Sequence, residues 1–301
     1  MDLRQIEYII KIADEHSITR AAEQLYISQS GLNQQLLKLE KELGQPLFHR
    51  SKYDMRLTEA GKIYVECGRK MIQQKKEAYD KIYDIAGNNS GTLRIGLTPE
   101  RGTTMLLHIY SDFHKAFPGI TIEPSEIHVK KQLTMLSKDY LDLGFSTLTE
   151  EDKIPNIEFV HVKYENILLG IPRSHPLAAY ANPPYESYAT IDLSLFKDEA
   201  FILMFKDSTL RNVIDPLFRK AGFVPRILFE TASNRTLYTM VKTNLGCTLI
   251  PETYAKEQED VAYFLLPENP QWEMTITYHK GHYISGPTEY FIKLVQKYWS
   301  R

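Results

Sequence analysis

The sequence predicts an α/β protein with a small all-α N-terminal region, one long linking helix and a larger α/β region of two lobes. Between residues 18 and 85, apolar residues recur at three- and four-residue spacing, which is typical of amphipathic helices. A Gly- and Asn-rich break follows at residues 87–91. Beyond it, apolar runs alternate with helical patterns, which indicates a parallel sheet covered by helices.

The composition bounds the class of protein. The chain has 301 residues, of which 43% are hydrophobic and 25% charged, so it suits two or three folded units. No series of basic, apolar and small residues follows Met1, and no apolar run approaches the ~20 residues that span a bilayer. We therefore expect a cytoplasmic protein without a membrane segment.

The sequence contains no convincing metal or catalytic site. Cys67 and Cys247 lie in different predicted domains, so we expect no disulfide between them. His279 and His282 have a ligand-like spacing, but they flank a predicted turn without an acidic companion nearby in the sequence, and we interpret them as surface histidines. A nucleophile elbow, a phosphate-binding glycine loop and a zinc-protease motif are all missing. The sequence predicts no enzyme, cofactor or metal.

Residues 17–50 read as two helices joined by a tight turn. Ser17 can cap a helix that ends near Leu25, and Ser28 can cap a second helix that stops at Gly44. The second helix buries Leu32, Leu36, Leu39 and Leu43 and exposes Gln29, Ser30, Asn33, Gln34 and Lys38. This is the layout of a helix-turn-helix that offers its second helix to a DNA groove. From spacing alone, a helical hairpin whose polar face meets only water stays an alternative.

The order of residues over nearly the whole chain resembles the LysR-type transcriptional regulators. In the N-terminal part the matching series are Leu3-Arg4-Gln5, Ser17-Ile18-Thr19-Arg20-Ala21-Ala22, Ile27-Ser28-Gln29-Ser30, Leu43-Gly44, Pro46-Leu47-Phe48-His49-Arg50 and Leu57-Thr58-Glu59-Ala60-Gly61. Weaker matches follow at Leu93-Arg94-Ile95-Gly96, Leu141-Asp142-Leu143-Gly144, His175-Pro176-Leu177 and Gly246-Cys247-Thr248-Leu249-Ile250-Pro251.

The resemblance implies a sequence-specific transcriptional regulator controlled by a small-molecule effector. It implies a winged helix-turn-helix domain (1–58), a linker helix and hinge (59–90) and a periplasmic-binding-protein-like effector domain (91–301). Lobe I would comprise 91–161 and 268–301, and lobe II 162–267. The partners would be double-stranded promoter DNA, the effector, RNA polymerase and further copies of the chain, as a homodimer or homotetramer through the linker helix and effector domains. A solute-binding protein would instead need an export signal, and a metabolic enzyme a catalytic constellation in the cleft.

The candidate DNA-binding residues follow from the second helix and the loop after it. Asn and Gln side chains bind the edge of adenine, which favours Gln29, Asn33 and Gln34 for base contacts. We assign Ser28, Ser30 and Lys38 to phosphates, Gly31 to close backbone approach or to packing on the preceding helix, and Arg50, Lys52 and Arg56 to a wing-like loop. Relatives often have Ser-Arg where this chain has Asn33-Gln34, which leaves the operator sequence open. Because the net charge of the chain is −2, its affinity for DNA must come from the placement of these groups and not from the overall charge.

The long helix begins after Thr58 and carries an apolar seam at near-heptad spacing. This seam comprises Tyr64, Cys67, Met71, Ala78, Ile82 and Ile85. A helix of this length needs a partner helix, and the resemblance implies that it pairs antiparallel with a second subunit. Packing on its own domain is the alternative.

The effector candidates lie at the ends of predicted strands. Ligands of open α/β sheets bind outside the carboxyl ends of strands, and in two-lobed folds between the lobes. The candidates are Thr98, Pro99, Glu100, His128, Ser146, Thr147, Met204, Phe205 and Thr231. Several could instead be helix caps. Some relatives that bind aromatic carboxylates have an arginine where this chain has Ser146-Thr147. Together with Glu100 this leaves an anionic and a cationic or amide effector both open, with Arg101 as a candidate counter-charge.

Overall fold

The computed structural model describes residues 2–50, 55–87, 90–255 and 258–300, with the side chain of Arg50 left aside. The chain divides into two compact units, residues 1–88 and residues 89–301. Each unit is described separately. Within the described residues, no helix combines the length and the apolar character needed to cross a membrane.

The first unit combines helices with one small hairpin. Its elements are α1 (Leu3–Glu15), α2 (Ile18–Gln24), α3 (Gln29–Leu43), β1 (Phe48–Arg50), β2 (Met55–Leu57) and α4 (Glu59–Ala86). The predicted caps are confirmed, since Ser17 accepts from the Arg20 N–H, Ser28 from Gly31 and Thr58 from Gly61, at 3.3, 3.1 and 3.0 Å. The predicted winged helix-turn-helix is confirmed; its wing is the antiparallel pair β1 and β2, so this mainly helical region also contains one small hairpin.

Within the described residues, helix α4 packs on the core of its own unit through its first half, as far as Ile72. Gly61 lies so close to the backbone of Leu47 that an added Cβ would be 2.0 Å from the Leu47 carbonyl oxygen. Gly68 similarly accommodates Ile6 of α1. From Cys67 onward, the predicted seam residues are exposed within the protomer. Packing on its own domain therefore holds for the first part of this helix, and pairing with a second subunit stays a prediction for the rest.

The second unit contains the alternating strands and helices. The strands are β3 (Ser90–Leu97), β4 (Gly119–Glu126), β5 (Leu143–Leu148), β6 (Ile157–Pro172), β7 (Ala189–Thr190), β8 (Ala200–Met204), β9 (Arg226–Thr231), β10 (Thr248–Pro251), β11 (Val261–Leu265) and β12 (Gln271–His279). The helices are α5 (Arg101–Ala116), α6 (Val129–Ser137), α7 (Thr209–Lys220), α8 (Asn234–Lys242) and α9 (Gly286–Trp299).

Two sheets share strand β6 and form the two lobes. The first sheet has the order β4-β3-β5-β12-β6, and in the second β6 pairs with β10 and β11, with β7 beyond β11. Strands β8 and β9 join the second lobe through a bridge between Phe201 and Cys247. Pairing of β6 passes from β12 to β10 between Asn166 and Ile167, close to the predicted crossing at 161–164.

The sheets are mixed, so the prediction of a parallel sheet is only partly correct. Strands β3, β4 and β5 are parallel, but β12 runs antiparallel to both β5 and β6. In the second lobe, β6 runs antiparallel to β10 and β11. Each lobe thus contains one reversed strand, and that strand belongs to a connection between the lobes. Buried aromatic residues fill both cores, including Phe113 and Phe291 in one lobe and Phe201, Phe218 and Phe264 in the other.

Candidate functional sites

Helix α3 presents a polar surface that its own unit does not cover. Leu32, Leu36 and Leu39 are almost completely buried, which fixes the rotation of the helix. Four of the predicted contact residues on this helix are exposed and Asn33 is half-buried; the exposed ones are Gln29, Ser30, Gln34 and Lys38. The polar side chains are therefore available to a partner in one continuous surface.

Gly31 is tied to the cap of the same helix. An added Cβ would be 2.9 Å from the Ser28 hydroxyl oxygen, and within the described residues no atom of α2 lies within 4 Å of it. Packing against α2 is therefore not the reason for this glycine. A larger residue would press on the cap, while the bare backbone stays open to approach from outside.

The wing-like loop is a hairpin anchored to α3. The Glu40 carboxylate accepts from the Leu47 N–H at 2.8 Å and from the Phe48 N–H at 3.4 Å. Arg56 lies exposed on β2 and pairs in register with His49. The side chain of Arg50 and all of Lys52 lie outside the described residues, so the predicted wing contacts stay predictions.

Sequence reasoning missed one exposed aromatic residue beside α3. Tyr26, in the turn before this helix, is 95% exposed and has a φ of +54°. A bulky side chain in the left-handed region is uncommon, and such residues cluster at functional sites. The turn was predicted from the sequence, but the sign of φ at a non-glycine residue was not readable.

A cavity of about 260 Å³ lies between the lobes of the second unit. Six predicted effector residues line it: Thr98, Pro99, His128, Thr147, Met204 and Phe205. His128 from one lobe and Phe205 from the other meet edge to face, with ring centroids 4.9 Å apart. Sequence reasoning did not select the lining residues Lys130, Lys131, Asp207, Thr209, Asn234 and Trp272. Most of these lie just before or in the first turn of a helix that follows a strand end, and that position was the available signal.

Glu100, Ser146 and Thr231 are not among the described residues that line the cavity. Ser146 is fully buried and its hydroxyl donates to Gln132 Oε1 at 3.2 Å. The Thr231 hydroxyl accepts from the Ser233 N–H at 3.2 Å, and the cap of α8 is Ser233 rather than Thr231. These two side chains therefore support the walls of the cavity rather than facing it.

Glu100 occupies a strained turn at the start of α5. Its φ of +63° and ψ of −69°, with a hydrogen bond of 2.8 Å from the Arg101 N–H to the Pro99 carbonyl oxygen, define a classic γ-turn. The Ser233 hydroxyl, in the other lobe, donates to Glu100 Oε1. Glu100 Oε2 is buried and has no hydrogen-bond partner among the described residues. The carboxylate thus faces the opposite lobe.

Arg101 is committed to a buried ion pair and is not a counter-charge for Glu100. The Arg101 and Glu165 side chains are 4% and 2% exposed, and Arg101 Nη1 and Nη2 both donate to the Glu165 carboxylate, the latter at 3.2 Å. Trp272 Nε1 and the backbone N–H of Thr253 also donate to Glu165, at 2.6 and 2.9 Å. Burial raises the pKa of Glu165, but Arg101 and these donors outweigh it and hold the pKa below its ordinary value.

Four helix N-termini meet at the cavity. The cavity wall includes residues just before or in the first turn of α5, α6, α7 and α8, at 98–99, 128–131, 208–210 and 232–234. Each N-terminus carries a partial positive charge, although Ser208 and Ser233 accept from N–H groups of α7 and α8. Lys130 and Lys131 add two formal positive charges, against Asp207 in the lining and the Glu100 carboxylate beside it. The formal charges therefore balance, and the helix N-termini supply the remaining positive potential.

Comparison with known proteins agrees with this architecture. Residues 3–62 match the family described as bacterial regulatory helix-turn-helix protein, lysR family, and residues 86–300 match the LysR substrate binding domain. The chain belongs to the LysR family. This LysR-family protein is a DNA-binding transcriptional regulator whose C-terminal unit is an effector-binding domain, as its sequence resemblance predicted.

Curated relatives span almost the same length. The LysR-family chain is 30% identical to the HTH-type transcriptional regulator YwbI of Bacillus subtilis, over 99% of this chain and 97% of the relative. It is 28% identical to the regulator AlsR of the same organism, over 94% and 92%. It is 27% identical to a hydrogen peroxide-inducible genes activator of Dickeya chrysanthemi, over 99% and 96%. These relatives are regulators.

Solved structures share the fold of the LysR-family chain. A full-length OxyR variant from Pseudomonas aeruginosa has a TM-score of 0.65 at 21% identity, covering 99% of this chain and 94% of that one. Full-length CbnR complexed with its target DNA has a TM-score of 0.57 at 22% identity, covering 99% and 100%. At these identities the likeness concerns the fold.

Proposed function

We propose that this regulator reads its operator with the polar side of α3. Gln29, Asn33 and Gln34 contact base edges, and Ser28, Ser30 and Lys38 contact phosphates, with the backbone at Gly31 in close approach. The support is that these side chains, all exposed except the half-buried Asn33, lie next to three buried leucines on the same helix. Arg50, Lys52 and Arg56 of the wing track the neighbouring backbone.

The effector that we propose is a small anion bound in the interlobe cavity. The observation that carries this proposal is the convergence of four helix N-termini with Lys130 and Lys131 on one cavity of about 260 Å³. Glu100, which left a cationic effector open at the sequence level, directs its carboxylate to Ser233. The volume suits a metabolite with a carboxylate, phosphate or sulfate group and a small apolar body in contact with Met204 and Phe205.

Thermal-shift screening of the full-length protein tests this assignment. A ligand that binds only the folded state raises the melting temperature. At a ligand concentration about one hundred times Kd, it adds roughly 2.7 kcal/mol to the free energy of unfolding. Anionic metabolites should stabilise the protein, and Lys131→Ala should reduce the shift, whereas Lys115→Ala, on α5 away from the cavity lining, should not. Stabilisation by cationic or neutral compounds alone would contradict an anionic effector.

Oligomerisation is proposed to bury the exposed part of the apolar seam on α4. Ile82 and Ile85 are 59% and 88% exposed in the protomer. Exposed apolar side chains also lie on α5, at Leu107 and Tyr110, and along edge strand β9, from Ile227 to Phe229. A dimer through α4 with further contacts between effector domains would cover these surfaces, which supports a homodimer or homotetramer.

Further parts of the proposed function follow from promoter binding. A regulator that binds promoter DNA acts in the cytoplasm of a bacterium and beside RNA polymerase, and we propose both. We also propose that the cavity binds its effector without chemical turnover. Incubating the pure protein with the stabilising ligand and recovering that ligand unchanged tests the last point.

A further inference from the structure

The turn after strand β12 carries two histidines on a well-defined scaffold. His279 ends β12, and His282 follows after two residues. The backbone N–H of Lys280 donates to the Asn156 carbonyl oxygen at 2.8 Å, and the N–H of His282 donates to the His279 carbonyl oxygen at 3.3 Å. Gly281 closes the turn with a φ of +83°, a conformation that favours glycine.

A carboxylate from a distant part of the chain lies against this turn. Asp139 follows α6 and has a φ of +61°. Its Oδ1 is 3.6 Å from His282 Nε2. The imidazole rings of His279 and His282 stack, with centroids 4.0 Å apart and planes inclined by 12°. One nitrogen of each histidine and one oxygen of Asp139 lie within 4.8 Å of one another.

We propose that Asp139, His279 and His282 bind a divalent transition-metal ion of the zinc class. Imidazole nitrogen and carboxylate oxygen are ligands that Zn²⁺ accepts at roughly 2.0–2.2 Å. Around such an ion, neighbouring ligand atoms lie roughly 3.4 Å apart in a tetrahedron. The three ligand atoms, which lie within 4.8 Å of one another, must draw closer together to bind the ion, and water completes the coordination.

The three side chains offer a metal ion two imidazole rings and one carboxylate from separate parts of the chain. A metal ion binds imidazole in its neutral form. The Arg94 guanidinium is close enough to Asp139 to interact with its charge. Its two-point hydrogen-bonded contact, at 2.7 and 3.3 Å, is made with a different carboxylate, that of Asp142. The sequence concealed this cluster because its acidic member, Asp139, is remote from the histidines along the chain.

This site is distinct from the effector cavity. Helix α6 begins at the cavity with Val129 and Lys130, and Asp139 follows its opposite end, so the nine-residue helix separates them by roughly 13 Å. Strand β12 runs similarly from Trp272, which lines the cavity, to His279. A metal here would brace the far side of lobe I.

Calorimetric titration of ZnCl₂ into full-length, untagged, chelator-treated protein tests the proposal. We expect one ion per chain, bound at micromolar or lower concentration. His282→Gln and Asp139→Asn should each weaken binding at least about tenfold, since each removes one of three ligands. Asparagine is chosen at Asp139 because it tolerates the left-handed backbone.

A matched histidine and a spectroscopic readout keep the result interpretable. His114→Gln, on α5 against Tyr110, should leave the affinity unchanged. Cobalt(II) added in place of zinc should give visible absorption in the wild type and lose it in the His282→Gln protein, with circular dichroism reporting the fold. Absence of binding up to millimolar zinc, or equal binding by the wild type and both ligand variants, would overturn the proposal.

Discussion

The hydroxyl of Ser233 donates a hydrogen bond to the carboxylate of Glu100, and this bond connects the two lobes of the effector domain. The same hydroxyl caps α8 by accepting from the Thr236 N–H at 3.1 Å. Glu100 thereby places a negative charge at the N-terminus of α8, where a helix favours it. The Glu100 carboxylate is thus an anion of the protein itself, and it lies beside the cavity in which we propose that an anionic effector binds.

Replacing Ser233 by alanine should destabilise the effector domain more than the loss of a cap alone. A cap contributes about 0.5–2 kcal/mol, and a hydrogen bond to a charged group adds about 1.5–3 kcal/mol. Ser208→Ala is the matched control, because Ser208 caps α7 by accepting from Arg211 at 3.3 Å. The free energy of unfolding of both variants is measured by urea titration. Tryptophan fluorescence follows the unfolding, since Trp272 and Trp299 are the two tryptophans of the chain.

A double-mutant cycle isolates the bond between the lobes. In a Glu100→Ala background, Ser233→Ala and Ser208→Ala should lower the free energy of unfolding by about the same amount. If Ser233→Ala lowers the free energy of unfolding no more than Ser208→Ala does in the wild-type background as well, the bond between Ser233 and Glu100 contributes nothing to stability.

Glu165→Gln should destabilise the protein at neutral pH and make its free energy of unfolding depend less on pH in acid. The change leaves the Arg101 guanidinium buried without its partner, at a cost of about 3–5 kcal/mol. Because folding lowers the pKa of Glu165, its stabilisation is complete above the ordinary pKa of a glutamic acid and is lost as the pH falls through the lower folded value.

The unfolding free energy of both proteins between pH 7 and pH 3 provides the measurement. The difference between wild type and Glu165→Gln should shrink as the medium becomes more acidic. Glu289→Gln is the control, because Glu289 forms an exposed pair with Lys293 and such pairs contribute little. A difference that stays constant or grows in acid would contradict the lowered pKa.

Replacing Gln29 and Asn33 together by alanine should abolish sequence-specific DNA binding without unfolding the first unit. Each two-point contact of an amide with adenine contributes roughly 1–3 kcal/mol of discrimination. Gel-shift titration with an operator selected in vitro measures the loss. Gln35→Ala, at an exposed position of the same helix, should retain operator affinity; an equal loss there would point to damage of the helix as a whole.

Ile82→Glu should weaken self-association through α4. The side chain is 59% exposed in the protomer, so the charge is tolerated in the monomer but costly in an apolar helix pair. Ile82→Leu keeps the apolar surface and should associate as the wild type does. Analytical ultracentrifugation distinguishes the species, and an unchanged mass for Ile82→Glu would exclude the seam from the interface.

Local features of the fold were readable from the sequence, and long-range ones were not. Ser17, Ser28 and Thr58 were identified as caps because a cap depends on residues three positions apart. The reversed direction of β12 was not, since it depends on pairing with distant strands. Glu100 was recognised as unusual and Arg101 was named as its candidate counter-charge, but their roles depend on Ser233 in the other lobe and on Glu165 in the crossing strand. Chain neighbours carry no information about such partners.

The continuity of strand β6 limits how the effector domain can change shape. Because one extended backbone belongs to both sheets, with no loop between Asn166 and Ile167, the lobes cannot slide past each other or separate freely. An effector bound between the lobes would act on the torsion of this shared strand and of the return segment before β12. We therefore expect ligand occupancy to appear as a rotation of one lobe against the other, with little translation.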